Sequence, residues 1–302
     1  MDEQSNLNPH DVFFKSNFED KEIVISYIET FLPENISRHI DKESLVLEKT
    51  EYSDKNMKKY FSDIVYNCNF KDTGIKLTLL FEHKSYQDDY IHFQLLRYML
   101  NIWKREIKDN KKPSPILPII FFNGATSFHV KTFYEYFEKL PDELKPYIPT
   151  FDYLLTDLTK CSDEFISIAI QSTKLKIVSL VMKHIRESEY FKHHFREMLL
   201  MIKEKYPEIS LDFLELLFNY ILYESEANSD VISDNVDVLL KIGGENFMTL
   251  AQKLRDEGEQ KGFEKLKQSA IKMLEDGVDI RFISKYTDLS ISEIEKLKED
   301  VD

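Results

Sequence analysis

The sequence predicts an α/β core built on a mixed sheet flanked by helices, followed by an α-helical C-terminal region. Three observations carry this. Residues 61–84 read as two β-branched and aromatic runs joined by a polar turn at Lys71 to Gly74, the pattern of an antiparallel hairpin. An amphipathic stretch from about Tyr90 to Lys108 then leads into Ile116 to Phe122, a nearly continuous apolar run that reads as a strand buried on both faces. From about Ser162 onward the periodicity is helical almost throughout.

Taken in order, the chain opens on a segment in which Phe13, Phe14 and Phe18 can pack down while His10, Asp11 and Lys15 remain as a polar set. Asp11 reads as a cap or turn residue, with a further metal carboxylate as the alternative. A helix follows from about Lys21 to Phe31, with Ile23, Tyr27 and Phe31 spaced by four, and Pro33 and Asn35 mark its end. Leu45 to Leu47 suggest a first strand ahead of the hairpin. After the turn Ser85 to Asp89, the long helix sets Ile91, Leu95, Met99 and Ile102 in one apolar stripe, widened by Leu96, Leu100 and Trp103. Its other face carries Gln94, Arg97, Tyr98, Asn101 and Arg105. Phe151 to Leu158 reads as a further strand. Helical segments are expected near Phe165 to Arg186, Phe191 to Lys205 and Leu211 to Tyr223. The tail holds a charged helix containing Gly258 and Gly262, then Ala270 to Leu274, a break at Gly277, a short helix with Ile280, Phe282 and Ile283, and a last helix opened at Ser292 with capping-box spacing. The expected organisation is a core over 1–160, a helical extension over 161–245 and a charged tail over 246–302.

Composition bounds the function. A chain of 302 residues, 42% hydrophobic, can fill a sizeable core, and only 7 glycines and 9 prolines argue against long linkers. No secretory signal and no apolar run of spanning length are visible, so a membrane location is not expected and a cytoplasmic one is. Cys68 and Cys161 cannot make a disulfide framework or a cysteine-rich zinc site. The net charge of −14 counts against a histone-like or purely electrostatic nucleic-acid binder, so any grip on DNA has to come from clustered cations.

The hairpin carries the chemistry. Strand side chains alternate between faces, so Leu77, Leu79, Phe81 and His83 share one face and Thr78, Leu80, Glu82 and Lys84 the other. Ile64, Tyr66, Cys68 and Phe70 form the apolar face of the first run, which leaves Asp63 on the opposite side. Asp63, Glu82 and Lys84 are therefore expected to converge. Parity alone leaves two readings open, an exposed ion pair on a half-buried sheet or a cation site with a functional lysine. His83 falls on the apolar side, the position of a packed imidazole rather than a catalytic base.

Further residues occur in order around that cluster: His10-Asp11-x-x-Phe14-Lys15, Ser62-Asp63-Ile64-Val65-Tyr66, Phe81-Glu82-His83-Lys84-Ser85, Gln94-Leu95-Leu96-Arg97-Tyr98 and Pro118 to Gly124. The series resembles the recombination-promoting nuclease family, also described as YhgA-like transposases, within the PD-(D/E)XK nuclease superfamily. The ending, Ala270-x-x-Met273-Leu274 through Gly277 to Glu293-Ile294, is similar to that group as well, whereas 163–246 matches only loosely. The resemblance implies a restriction-endonuclease-like core and Mg²⁺-dependent endonuclease cleavage of DNA phosphodiester bonds, linked to recombination or mobile elements. It also implies roles for Asp63, Glu82, Lys84 and Gln94, with Asp63, Glu82 and the backbone carbonyl of His83 as metal ligands. Mg²⁺, with Mn²⁺ as a substitute, takes one or two carboxylates and keeps waters for the rest of its octahedron. Arg97, Lys104, Arg105 and Lys108 on the long helix are candidate contacts to DNA phosphates, a solvated helix face being the alternative.

A non-catalytic DNA-binding or regulatory protein retaining a nuclease fold is the runner-up. The tail resembles a helix-turn-helix in outline, yet residues 251–302 hold 10 Lys and Arg against 13 Asp and Glu. Self-association through this helical region, giving a homo-oligomer, or a regulatory role fits that charge better than reading DNA.

Overall fold

The computed structural model describes residues 8–48, 64–205, 209–224, 266–275, 277–287 and 289–299. The elements run α1 (Pro9–Phe18), α2 (Lys21–Phe31), α3 (Glu34–Ser37), β1 (Ile40–Leu47), β2 (Ile64–Phe70), β3 (Ile75–Lys84), α4 (Ile91–Lys108), β4 (Ile116–Phe122) and β5 (Leu154–Asp157). Helices α5 (Asp163–Ala169), α6 (Thr173–His184), α7 (Ser188–Glu204) and α8 (Leu211–Glu224) follow. Residues 266–275 are helical, and α9 (Ile280–Thr287) and α10 (Ile291–Glu299) close the described chain.

The five strands form one mixed sheet in the order β1-β2-β3-β4-β5. With helices on its faces and a helical region after it, the arrangement is α/β and consistent with a restriction-endonuclease-like core. The hairpin β2–β3 is antiparallel and closes with Phe70 opposite Ile75, the turn between them placing Asp72 and Gly74 at positive φ. Glycine meets that requirement without steric cost. Strands β3, β4 and β5 run parallel, so each pair needs a crossover. The first crossover is α4; the second, 123–153, contains only short 3-10 turns at Phe133–Tyr136 and Asp142–Tyr147.

Two apolar layers sandwich the sheet, and the period of two decides which residue joins which. Leu79, Phe81, Ile119 and Phe121 face α1 and α2, where Phe14, Phe18 and Tyr27 form a fully buried aromatic cluster with Phe81 and Phe121. Val65, Leu80, Ile120 and Phe122 face α4 and pack on Ile91, Leu95, Tyr98, Met99 and Ile102. The buried stripe of α4 differs from the expected one on one side. Leu100 is exposed, and the stripe turns instead toward His92 and Tyr98.

The first segment is a helix, which its polar set did not announce. Asn8 caps it by accepting from the His10 amide, and Pro9 takes the first helical position, where no N–H is needed. The helix expected over 165–186 is two. Ile170 is extended, and Ser172 starts α6 by accepting from the Leu175 amide.

The described residues fall into two compact units: α1 to α6 with the sheet and α8 form one, and α7 with the C-terminal helices the other. In the first, α8 returns onto α1, where Tyr220 stacks on Phe13 at 4.0 Å. In the second, Ala270, Ile283, Leu289 and Ile294 make a small apolar cluster. Gly277, at φ +76°, ends the helical stretch 266–275. The capping box of α10 is set two residues earlier than the sequence spacing suggested. Ser290 Oγ accepts from the Glu293 amide and the Glu293 carboxylate accepts from the Ser290 amide. The charged stretch with Gly258 and Gly262 lies outside the described residues. No helix among the described residues is long and apolar enough to cross a membrane.

Candidate active site

The C-terminal end of β3 carries Glu82, His83 and Lys84 into the interior, each less than a tenth exposed. A half-buried hairpin would have left two of them in water. The parallel neighbour β4 on one side and α4 above remove that exposure. Glu82 pairs with Ile120 and Lys84 with Phe122, so both charged side chains rise from the α4 face of the sheet.

A buried carboxylate and a buried ammonium are tolerable only when paired and hydrogen-bonded. Lys84 Nζ lies 3.1 Å from Glu82 Oε1 and 2.9 Å from Asp88 Oδ2, and donates to Gln94 Oε1 at 2.6 Å. An ammonium has three N–H donors, and here three acceptors meet it. Burial works against the charge, but Glu82 and Asp88 outweigh it and hold Lys84 well above the usual lysine range. Gln94 closes the ring: its amide nitrogen donates to Glu82 Oε1 at 2.6 Å and reaches the Tyr98 hydroxyl at 2.7 Å. One oxygen remains. Glu82 Oε2 is buried and has no hydrogen-bond partner among the described residues.

His83 points to the other face, as its parity requires, and stacks on Phe14 at 5.1 Å. Its Nδ1 lies 2.6 Å from Asp11 Oδ1 and its Nε2 2.9 Å from Asn123 Oδ1. Asp11 is therefore neither cap nor turn residue; it sits in the first turn of α1 and binds the imidazole. With both ring nitrogens engaged, any ligand role for His83 falls to its backbone carbonyl. Asn123 ties three elements together. Its amide nitrogen donates to the Met182 carbonyl at 3.0 Å, its backbone N–H to the Lys84 carbonyl at 3.0 Å, and its own carbonyl accepts from Arg186. Arg186 also donates to the Ser85 carbonyl at 3.2 Å. Beside it, His10 Nδ1 lies 2.6 Å from the Tyr220 hydroxyl, and burial with Arg186 nearby lowers the His10 pKa to about 4.

Of the residues singled out in the sequence, Glu82, Lys84 and Gln94 meet directly. Asp63 lies outside the described residues; β2 is described from Ile64, which pairs with Phe81, the neighbour of Glu82. Among the described residues no group of three His, Cys, Asp or Glu is arranged to hold a metal ion. Glu82 Oε2, which has no hydrogen-bond partner among the described residues, fits one carboxylate ligand to a hard cation. The cations of α4 are spread along it: Arg97, Lys104 and Lys108 are exposed, Arg97 lying over the Tyr98 ring, while Arg105 pairs with Glu48 at 2.7 Å.

Sequence reasoning gave Asp88, Tyr98 and Asn123 no part in the cluster. Tyr98 had a readable signal, because it stands four residues beyond Gln94 on one helix; Asp88 lies in the turn after β3, where spacing carries no such signal. Asn123 stood within the Pro118 to Gly124 motif, but its link to α6, some 60 residues away, had no local signal.

Comparison with known proteins adds to this geometry. The family model described as "Putative transposase, YhgA-like" matches residues 8–209. The recombination-promoting nuclease RpnA of Escherichia coli (strain K12) is 26% identical, over 97% of this chain and 98% of that protein. The recombination-promoting nuclease RpnD of E. coli O157:H7 is 25% identical over 82% and 95%. The inactive recombination-promoting nuclease-like protein RpnE of strain K12 is 26% identical over 97% and 99%. No solved structure matches the chain.

Proposed function

This chain belongs to the YhgA-like transposase family, and from that premise we propose that it is a metal-dependent endodeoxyribonuclease that hydrolyses DNA phosphodiester bonds in recombination. The observation that carries the reading is the buried Glu82–Lys84–Gln94 cluster, in which one carboxylate oxygen has no partner among the described residues. An ordinary structural ion pair spends both oxygens; leaving one bare in the interior costs about 1–3 kcal/mol, which a ligand can offset.

Glu82 Oε2 and the carboxylate of Asp63 would hold Mg²⁺ or Mn²⁺, with the His83 carbonyl as a third donor. When bound, such a cation activates water as a nucleophile and offsets the charge that develops at phosphorus. Asp63 is bonded to Ile64, whose strand partner Phe81 is bonded to Glu82. Lys84, paired with Glu82 and Asp88, would supply positive charge to a phosphate. Gln94 fixes the spacing of Glu82 and Lys84 by bonding both. Exposed Arg97, Lys104 and Lys108 extend positive charge along α4 for neighbouring phosphates, with Arg105 contributing less because Glu48 offsets it.

The second reading, a DNA-binding or regulatory protein without cleavage, is favoured by one observation: a relative of nearly equal length and identity is named inactive. Cleavage of supercoiled plasmid in Mg²⁺ against EDTA separates the two. Nicking that disappears with EDTA and in a folded Glu82→Gln variant supports the nuclease; DNA binding without nicking supports the regulator.

A further inference from the structure

Between Lys84 and Gln94 the chain carries three aromatic rings turned to solvent. Tyr86 is 61% exposed, Tyr90 68% and Phe93 42%. Single exposed rings are common, but these three fall within eight residues, flanked by two members of one buried cluster, and Tyr90 and Phe93 adjoin with ring centres 6.2 Å apart. Tyr86 lies against the cluster, its ring centre 5.7 Å from Lys84 Nζ.

The surface is rigidly built. Tyr136 lies under Tyr90 with ring centres 6.0 Å apart and planes 17° from parallel, and it meets Phe93 edge-on at 5.0 Å. The Tyr136 hydroxyl is 3.1 Å from Nδ1 of buried His92, and Phe133 supports Phe93 at 5.2 Å. Gln87 binds the His129 backbone twice, its side-chain oxygen accepting at 2.8 Å and its nitrogen donating at 3.2 Å. The acids of this loop are spent, Asp88 on Lys84 and Asp89 on Lys131 at 2.9 Å each. What faces outward is therefore a preformed stack with an open aromatic face and little net charge.

We propose that Tyr86, Tyr90 and Phe93 form a stacking platform for unpaired nucleobases of the DNA strand whose phosphate reaches Lys84, a substrate preference that rests on the endonuclease reading above. Bases inside a duplex have both faces covered by their neighbours. A base that is single-stranded, mismatched or splayed has a free face, and every base has one, so the platform selects unpaired over paired DNA without reading sequence. Because its rings are preordered, little freedom is lost on binding. Because it works by stacking, its share of the affinity does not follow salt in the way phosphate contacts do.

The test uses the full-length protein in EDTA with oligonucleotides carrying 2-aminopurine, whose fluorescence is quenched by stacking. Quenching is expected with single-stranded probes and with a 2-aminopurine held in a mismatch, and not when the probe is paired inside a duplex. Tyr90→Leu with Phe93→Leu should weaken single-strand binding about tenfold, with an unchanged salt slope, while Tyr90→Phe keeps wild-type affinity. Absence of quenching, leucine variants that bind like wild type, or a phenylalanine variant as weak as the leucine one would each overturn the platform. Cleavage in Mg²⁺ is read separately. Quenching without any cleavage would sink the nuclease reading and leave the platform standing. Cleavage of paired and unpaired DNA alike, unchanged in the leucine variants, would do the reverse.

Discussion

Lys84 Nζ lies 3.1 Å from Glu82 Oε1, in a site where both side chains are almost fully buried and Glu82 Oε2 has no partner among the described residues. A divalent cation is expected to complete that carboxylate. Mg²⁺ should then raise the melting temperature of the wild-type protein, by as much as about 2.7 kcal/mol of added stability at a hundred times its Kd. Glu82→Gln, which keeps shape and loses charge, should abolish the increment. An equal shift in both proteins would remove Glu82 from the metal site.

Gln94 bonds both charged partners, so its two ends are not interchangeable. Gln94→Glu keeps an acceptor for Lys84 but sets a second carboxylate against Glu82 Oε1, where the amide nitrogen now lies at 2.6 Å. Cleavage should fall by about 10²-fold, chiefly in kcat. A variant that cuts at the wild-type rate would reduce Gln94 to a bystander.

Asp88 is expected to compete with the substrate. The three donors of Lys84 are filled, and Asp88, the most exposed of their acceptors among the carboxylates, is the one a phosphate can replace most easily. Asp88→Asn weakens that contact without removing the side chain. It should lower KM several-fold, and a raised KM in steady-state cleavage assays would show that Asp88 assists binding instead.

Acid stability offers a check away from the cluster. His10 has its pKa lowered to about 4, against about 6.5 in the unfolded chain, because burial and Arg186 disfavour the imidazolium. The unfolded state therefore binds the proton first, and stability should fall as pH drops from about 6.5 toward 4, by no more than about 1.4 kcal/mol per unit. Urea titrations across that range should show the slope, and His10→Gln should flatten it. Identical slopes would mean that His10 is readily protonated in the folded protein.

Much of this arrangement was legible in the sequence, and the reason is periodicity. The alternation along β3 forced Glu82 and Lys84 onto one face and His83 onto the other, because Leu79 and Phe81 had to be buried. The continuous apolar run Ile116–Phe122 announced a strand covered on both sides. What stayed hidden depended on contacts between distant segments. Nothing local marks Asn123 as the link between His83, Lys84 and Met182, or Asp11 as the partner of His83 rather than a cap. The break between α5 and α6 was missed because apolar residues continue through Ile170, so only the Ser172 cap distinguishes two helices from one. Asp63, central to the sequence argument, lies outside the described residues, and its role stands on the motif and on its bond to Ile64.

The most direct measurement is plasmid nicking by the wild-type protein, Asp63→Asn and Glu82→Gln, in Mg²⁺ and in EDTA, with folding verified by thermal melting. The account predicts that the wild type nicks only with Mg²⁺ and that each folded variant loses at least about 10²-fold in rate. Variants that nick like the wild type, or nicking that survives EDTA, would contradict it.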